Sequence, residues 1–546
     1  MKVLYLLFWS CLLAGCAQKS TADLIVHHAK VYTVDSLFTI VEAIAVKDGK
    51  VVATGTSEKI LHDYTATNSI DAEGKTIYPG FIDGHAHFYS YALSLQKVNL
   101  VATKSWEDCI QRIKQFVNEN NLQPGKWITG NGWDQNDWAV KEFPSKEKLD
   151  EAFPQNPVFL SRIDGHAVIV NQQALHEAGI KAGDTVPGGV IDTKDKKLTG
   201  LLIDNAIGKV ERSIPLPDKT VLQKVCGKAQ NNCFAVGLTS VTDCGLMKQQ
   251  VDELDALQKE DKLKIKLTVL LSDDPGNYNY YLGKAPYHSA RMHIAGFKLY
   301  ADGALGSRGA CLLQPYEDKK DWKGFLLNTE DHYAQALKKI YSSPYQACTH
   351  AIGDSANRVV LQQYAAILKN KNDRRWRIEH AQVVDGLDLQ WFEKYTIIPS
   401  VQPTHATSDM YWAGDRLGAT RIRNAYAYKQ LLQQNGWIIL GTDFPVEDIS
   451  PFKTFYAAVV RKDATGFPAN GFQVENALIK QEALRGMTIW AAKGSFEEKE
   501  KGSIEKGKLA DFIITDTDIM NCEPSMILKT KVIATYVNGE KVFEKP

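Results

Sequence analysis

The chain has no surplus of either charge, because 64 Lys and Arg offset 64 Asp and Glu. It also lacks a sustained Lys/Arg block. Without a basic field there is no electrostatic footprint for DNA or RNA, and nucleic acid is excluded as a partner. No apolar run reaches the roughly 20 residues that a permanent membrane helix needs. No internal repeat or low-complexity segment is present, which excludes solenoids and long disordered arms. The nine cysteines include no C-x-x-C pair. Setting aside Cys11 and Cys16, those left are odd in number and thinly spread. A disulfide framework is therefore excluded: most read as small buried apolar residues, with room for one bridge. The charge run Glu497-Glu498-Lys499-Glu500-Lys501 mixes signs and reads as a solvated turn. A chain of 546 residues suits one large α/β barrel with additions.

What is present begins at the N-terminus. Lys2 precedes a short apolar stretch, residues 3–13, which ends in Leu13-Ala14-Gly15-Cys16. Small residues before a cysteine at that place resemble the lipobox of bacterial lipoproteins. The resemblance implies a signal peptide over residues 1–15, cleavage before Cys16, lipid on its thiol and a tether over residues 16–21. An ordinary secretory signal with an incidental cysteine is the alternative. Either way the body is expected outside the cytoplasm. With the lipid, it sits in the cell envelope, anchored to a membrane whose identity and leaflet stay open.

Both ends of the chain are rich in β-branched residues. Residues 24–31 and 40–52 carry a hairpin signal at Asp48-Gly49, and residues 510–515 and 532–542 carry another at Asn538-Gly539. One small β-sandwich domain, residues 22–78 with 498–546, is expected from the two ends. Between them, residues 79–497 alternate apolar runs with helical stretches, the rhythm of a (β/α)8 barrel of the α/β class. Strand ends are expected at His85 and His87, at Asp243, near Lys298, at His350, at His380, at Gln402 and at Asp443. About 150 residues separate the first two, far more than a βα loop needs. An insert at about residues 95–235, carrying Trp127, Trp133 and Trp138, is expected over the barrel mouth.

The chemistry starts at Pro79-Gly-Phe-Ile-Asp-Gly-His85-Ala-His87. Alternate residues on a strand face one way, so both imidazoles can meet one ion. A bare H-x-H is weak by itself. Here His350, His380 and Asp443 follow in order at later strand ends, where barrel active sites lie. A lysine among such ligands, Lys298, is an unusual cation beside a dication. It is either neutralised, converted to a carbamate, or paired with an acid such as Asp302. Glu379 is expected to point away from the metal by strand alternation and to be structural. His405 is placed behind the ligands, facing the pocket.

These stretches resemble the amidohydrolase superfamily, and its YtcJ-like branch in particular. Lys298 through Arg308, His350-Ala-Ile-Gly-Asp354, Arg377-Ile-Glu-His380 and Gly441-Thr-Asp443-Phe-Pro445 carry the resemblance, with Arg162-Ile-Asp-Gly-His166 in the insert. It implies a hydrolase with one or two divalent ions, zinc first, held by His85, His87, Lys298, His350, His380 and Asp443, with a carboxylated Lys298 as bridge. Water acidified toward a pKa of about 7 attacks a non-peptide carbon–nitrogen bond of a small molecule, with Asp443 as general base and acid. Deaminase or esterase chemistry on the same ring, and a non-catalytic binding protein on such a barrel, are the alternatives. Substrate contacts are expected from Trp133, His166, Asp302, Arg308 and His405. The oligomeric state stays open, a homodimer included. Three positions depart from the branch: Thr442 for Ser, Gly309 for Thr and Asp204 for Glu. The last two are expected to reshape the pocket.

Overall fold

A computed structural model describes residues 19–215 and 218–546. The expected signal peptide and the first half of the tether, Cys16 included, lie outside them. The centre is a barrel of eight parallel strands, hydrogen-bonded to one another in chain order. They are β1 (Phe81–Ala86), β2 (Leu238–Leu246), β3 (Lys266–Ser272), β4 (Met292–Tyr300), β5 (Gln346–Ala351), β6 (Arg377–His380), β7 (Ile398–Val401) and β8 (Ile439–Leu440). Sequence reasoning finds all but β3. That strand is buried over six of its seven residues, Lys266 and Thr268 among them, and it ends at Ser272 without a histidine to mark it.

The barrel closes where the site lies. Just past β8, the Asp443 amide donates to the His85 carbonyl at 2.8 Å, and the His87 amide donates to the Phe444 carbonyl at 2.9 Å. The Asp83 carboxylate strengthens this seam. It accepts from the Thr442 amide at 3.0 Å, the Thr442 hydroxyl at 2.6 Å and the His85 amide at 3.2 Å. Such close approach needs glycine: a Cβ on Gly84 would lie 2.1 Å from Ile439 Cγ2, and one on Gly441 2.5 Å from the His85 amide nitrogen.

Among the run Glu497–Lys501, the two end residues are not solvated. Glu497 and Lys501 are 6% and 3% exposed, pair with each other at 3.0 Å, and Glu497 accepts from Thr268 of β3 at 2.8 Å. Burial is tolerable because each charge finds its partner four residues away.

The two chain ends form a sandwich. A four-stranded sheet uses residues 20–71, and a six-stranded sheet joins Lys30–Tyr32, Ile40–Val41 and Thr76–Pro79 to Phe512–Thr515, Val532–Val537 and Glu540–Glu544. Leu24, Val26 and Ile44 from the first sheet meet Ile77, Phe512 and Tyr536 from the second in one core. Both predicted hairpin turns have positive φ at each central residue, 51° and 72° at Asp48-Gly49, 50° and 72° at Asn538-Gly539. That is the geometry matching strand twist. All the described cysteines are free thiols.

After β1 and the helix Phe88–Ser94, the chain builds a separate six-stranded sheet between Val98 and Asp204. One face buries Trp133, Trp138 and Ile113, and the other Phe159, Val168 and Leu175. The helix Lys219–Ala235 then returns to the barrel core through Leu222, Ala229 and Phe234.

Candidate metal centre

Five of the six expected ligands are imidazole or carboxylate groups at the carboxyl ends of β1, β5, β6 and β8. His85 Nε2 lies 3.5 Å and His87 Nε2 3.2 Å from Asp443 Oδ1. The His85 ring centroid is 4.8 Å from that of His380, which is 4.6 Å from that of His350. Lys298 at the end of β4 reaches into the same group, its Nζ 3.2 Å from His85 Nε2 and 4.8 Å from the Tyr300 ring centre. No carboxylate lies within 4 Å of Lys298 among the described residues. Asp302 is occupied elsewhere, accepting the amides of Cys311, Ile352 and Gly353 at 2.8–2.9 Å. It fixes the loop that follows His350, and burial raises its pKa to about 7.

The ring is set by what stands behind it. His87 Nδ1 lies 3.0 Å from the Cys244 carbonyl and His85 Nδ1 2.6 Å from Glu379 Oε2. Each contact puts the proton on Nδ1 and leaves Nε2 as a lone pair. Glu379 thus turns into the barrel behind His85, while His380 lines the cavity. The alternation that predicted otherwise breaks because His380 and Ala381 take left-handed backbone, φ 72° and 42°. Asp443 is left-handed too, at 64°. Such conformations are costly outside glycine and gather at functional sites.

Electrostatics suit a cation. Burial, then neighbouring imidazoles, keeps His350 and His380 well below the ordinary histidine pKa, so both are neutral ligands. Burial alone would raise Asp443, yet His85, His87 and His405 hold it well below the carboxylate range. Buried His350 Nε2, His380 Nδ1, His405 Nε2 and Asp443 Oδ1 have no hydrogen-bond partner. Two triads, His85–His87–Asp443 and His380–His405–Asp443, each bring one ligand atom per residue within 4.8 Å of the others. The donor set fits a divalent ion. His405 therefore stands among the ligand atoms, its Nε2 3.7 Å from Asp443 Oδ2 and its ring stacked on His380. The signal for it was its place just past a strand end.

The ring opens on a cavity of about 740 Å³ between the barrel mouth and the insert. His166 and His405 line it; Trp133, Asp302 and Arg308 do not. Trp133 is fully buried in the insert core, its indole N–H donating to the Leu160 carbonyl at 2.9 Å. Arg308 turns to Asp318, 2.9 Å away. His166 is held by Asp204, Nδ1 to Oδ1 2.6 Å, and its ring stands 5.2 Å from that of His350. Burial opposes its charge, but Asp204 outweighs this and raises its pKa. Two of the departures meet here: a Cβ on Gly309 would lie 2.8 Å from Asp204 Oδ2. The shorter acid and the missing side chain form one local rearrangement. Arg162, buried, joins Asp134 and Asp164 on the insert wall, with Asp164 at 2.6 Å.

A barrel with a His-x-His strand, two further histidines and a terminal aspartate around a cavity defines a metal-dependent hydrolase. The amidohydrolase family matches residues 68–543, and the chain belongs to that family. Protein LONG AFTER FAR-RED 3 of Arabidopsis thaliana is 30% identical over 98% of this chain and 94% of its own length. Putative amidohydrolase YtcJ of Bacillus subtilis is 29% identical over 95% and 99%. N-substituted formamide deformylase of Arthrobacter pascens is 24% identical over 96% and 98%. A solved metal-dependent hydrolase of Pyrococcus horikoshii superposes with a TM-score of 0.76 at 28% identity, covering 92% of this chain and 99% of that one.

Proposed function

We propose that this hydrolase cleaves a carbon–nitrogen bond other than a peptide bond, in a formamide, acyl amide or cyclic amide. The observation that carries the reading is Asp443, shared by both ligand triads and open to the cavity. The likeness to a deformylase over nearly the full length of both chains supports it.

His85, His87, Lys298, His350, His380 and Asp443 would hold one or two zinc ions, with Lys298 carboxylated where two are bound. Bound zinc supplies Lewis acidity, polarising the scissile carbonyl and making water acidic near neutral pH. Asp443, ionised in its imidazole surroundings, accepts a proton from the attacking water and returns it to the leaving nitrogen. The products are a carboxylic acid and an amine. His166, its Nδ1 engaged by Asp204, presents the other nitrogen to the cavity as a donor to substrate. Glu379 keeps His85 in one tautomer.

Deamination is less favoured, because His350 is followed by Ala351, Ile352 and Gly353, with no acid three positions on. The body is placed in the cell envelope, held by lipid on Cys16, a reading that rests on the lipobox likeness. Metal content by mass spectrometry, followed by assay on N-formyl, N-acyl and cyclic amides against purine and ester controls, tests the reaction class. Turnover of the amides with zinc bound supports it; turnover of esters or amino-purines alone overturns it.

A further inference from the structure

We propose a second metal site on the sandwich domain, formed by His27, His28 and Asp71 and selective for a borderline transition dication such as Zn²⁺, Ni²⁺ or Cu²⁺. His27 ends the strand Ser20–His27, and Asp71 ends the neighbouring parallel strand Tyr64–Asp71, where the two are register partners. Successive residues on a strand point to opposite faces, so His28 would normally turn away. Its left-handed backbone, φ 51°, brings it back. The turn is pinned: the His28 amide donates to Ser57 Oγ at 2.8 Å, and the His28 carbonyl accepts from the Gly74 amide at 2.7 Å.

The result is a compact triangle of ligand atoms. His28 Nδ1 is 3.1 Å from His27 Nδ1 and 2.9 Å from Asp71 Oδ2, and all three lie within 4.8 Å of one another. Around a tetrahedral zinc with bonds of 2.0–2.1 Å, neighbouring ligand atoms stand about 3.3 Å apart. The two edges at His28 are close to that spacing, and the His27–Asp71 edge lies within 4.8 Å. Asp71 is preset as well, its Oδ1 accepting the Glu73 amide at 2.9 Å, which leaves Oδ2 for the site. Two imidazoles and one carboxylate favour zinc, nickel or copper over magnesium or calcium, which prefer oxygen. His28 and Asp71 are exposed and His27 is half-buried. Solvent therefore completes the coordination, and an ion exchanges freely.

The site shares no residue with the barrel ring, so its test is independent of the reaction proposed above. Zn²⁺ is titrated calorimetrically into the full protein with the ring already loaded, and Cu²⁺ is added in parallel for electron paramagnetic resonance. The parent is expected to take up one equivalent beyond the ring, with two imidazole nitrogens coupled to Cu²⁺. His28→Asn, which tolerates the left-handed backbone, and His27→Ala each remove that equivalent and its nitrogen couplings while metal in the ring is unchanged. Equal uptake by parent and both variants, or no uptake beyond the ring, overturns the site.

Discussion

Nδ1 of His85 lies 2.6 Å from Oε2 of Glu379, both side chains fully shielded from water. Arg377, equally buried, has its guanidinium 4.0 Å from the other carboxylate oxygen. Burial works against ionising Glu379, but His85 and Arg377 hold its carboxyl down to about 2. The carboxylate therefore stays charged and keeps the His85 lone pair directed at the ring.

Replacing that acid should loosen the metal without removing a ligand. Glu379→Gln is expected to weaken metal affinity about 10–100-fold, the usual cost of losing such a partner. Competition with a chelator measures it, and circular dichroism checks that the fold is kept. Unchanged affinity would show that His85 needs no such support.

The barrel seam gives a second prediction. In Gly84→Ala the new methyl meets Ile439 Cγ2 and the Leu440 carbonyl, which lies 2.8 Å from the built Cβ. A loss of about 1–3 kcal/mol in unfolding free energy is expected from overpacking, along with impaired metal uptake, because β1 and β8 carry His85 and precede Asp443. Denaturant melts and metal content report the two effects separately.

These residues mark how far the sequence could be read. His85, His87, His350, His380 and Asp443 were visible because strand ends in a barrel converge, whatever their separation along the chain. Glu379 was misjudged because a rule of alternation holds only while the backbone stays extended, and His380 leaves that region. Trp133 and Arg308 had the right chemistry for substrate contact, but the insert core and Asp318 claimed them. Nothing local in a sequence reveals such competition. Likewise Glu497 and Lys501 look solvated until Thr268 of β3 is placed against them.

Asp204 and Gly309 supply a third prediction. Gly309→Thr drives a side chain onto the Asp204 carboxylate and displaces His166. Activity on the substrate found by the amide panel is expected to fall about 10²-fold or more, as when a positioned proton donor is lost. Metal content should not change. Pairing Gly309→Thr with Asp204→Ala separates steric displacement from loss of the acid. Full activity in both would remove His166 from the reaction.

A fourth prediction concerns metal removal. The chelated protein retains neutral, unpaired His350 and His380 in its interior and loses whatever the ion contributed to the native state. Its thermal midpoint is expected to fall, and to return on adding Zn²⁺ in proportion to the logarithm of free metal over Kd. An identical midpoint with and without metal would mean that the ring does not bind it.

The central claim is that Asp443 moves the proton while the histidines keep the ion. Metal content and turnover of Asp443→Asn, measured on the same preparation with the best substrate of the amide panel, test it most directly. The account predicts metal at the parent level with kcat reduced at least about 10²-fold. Parent-level turnover by Asp443→Asn would contradict it.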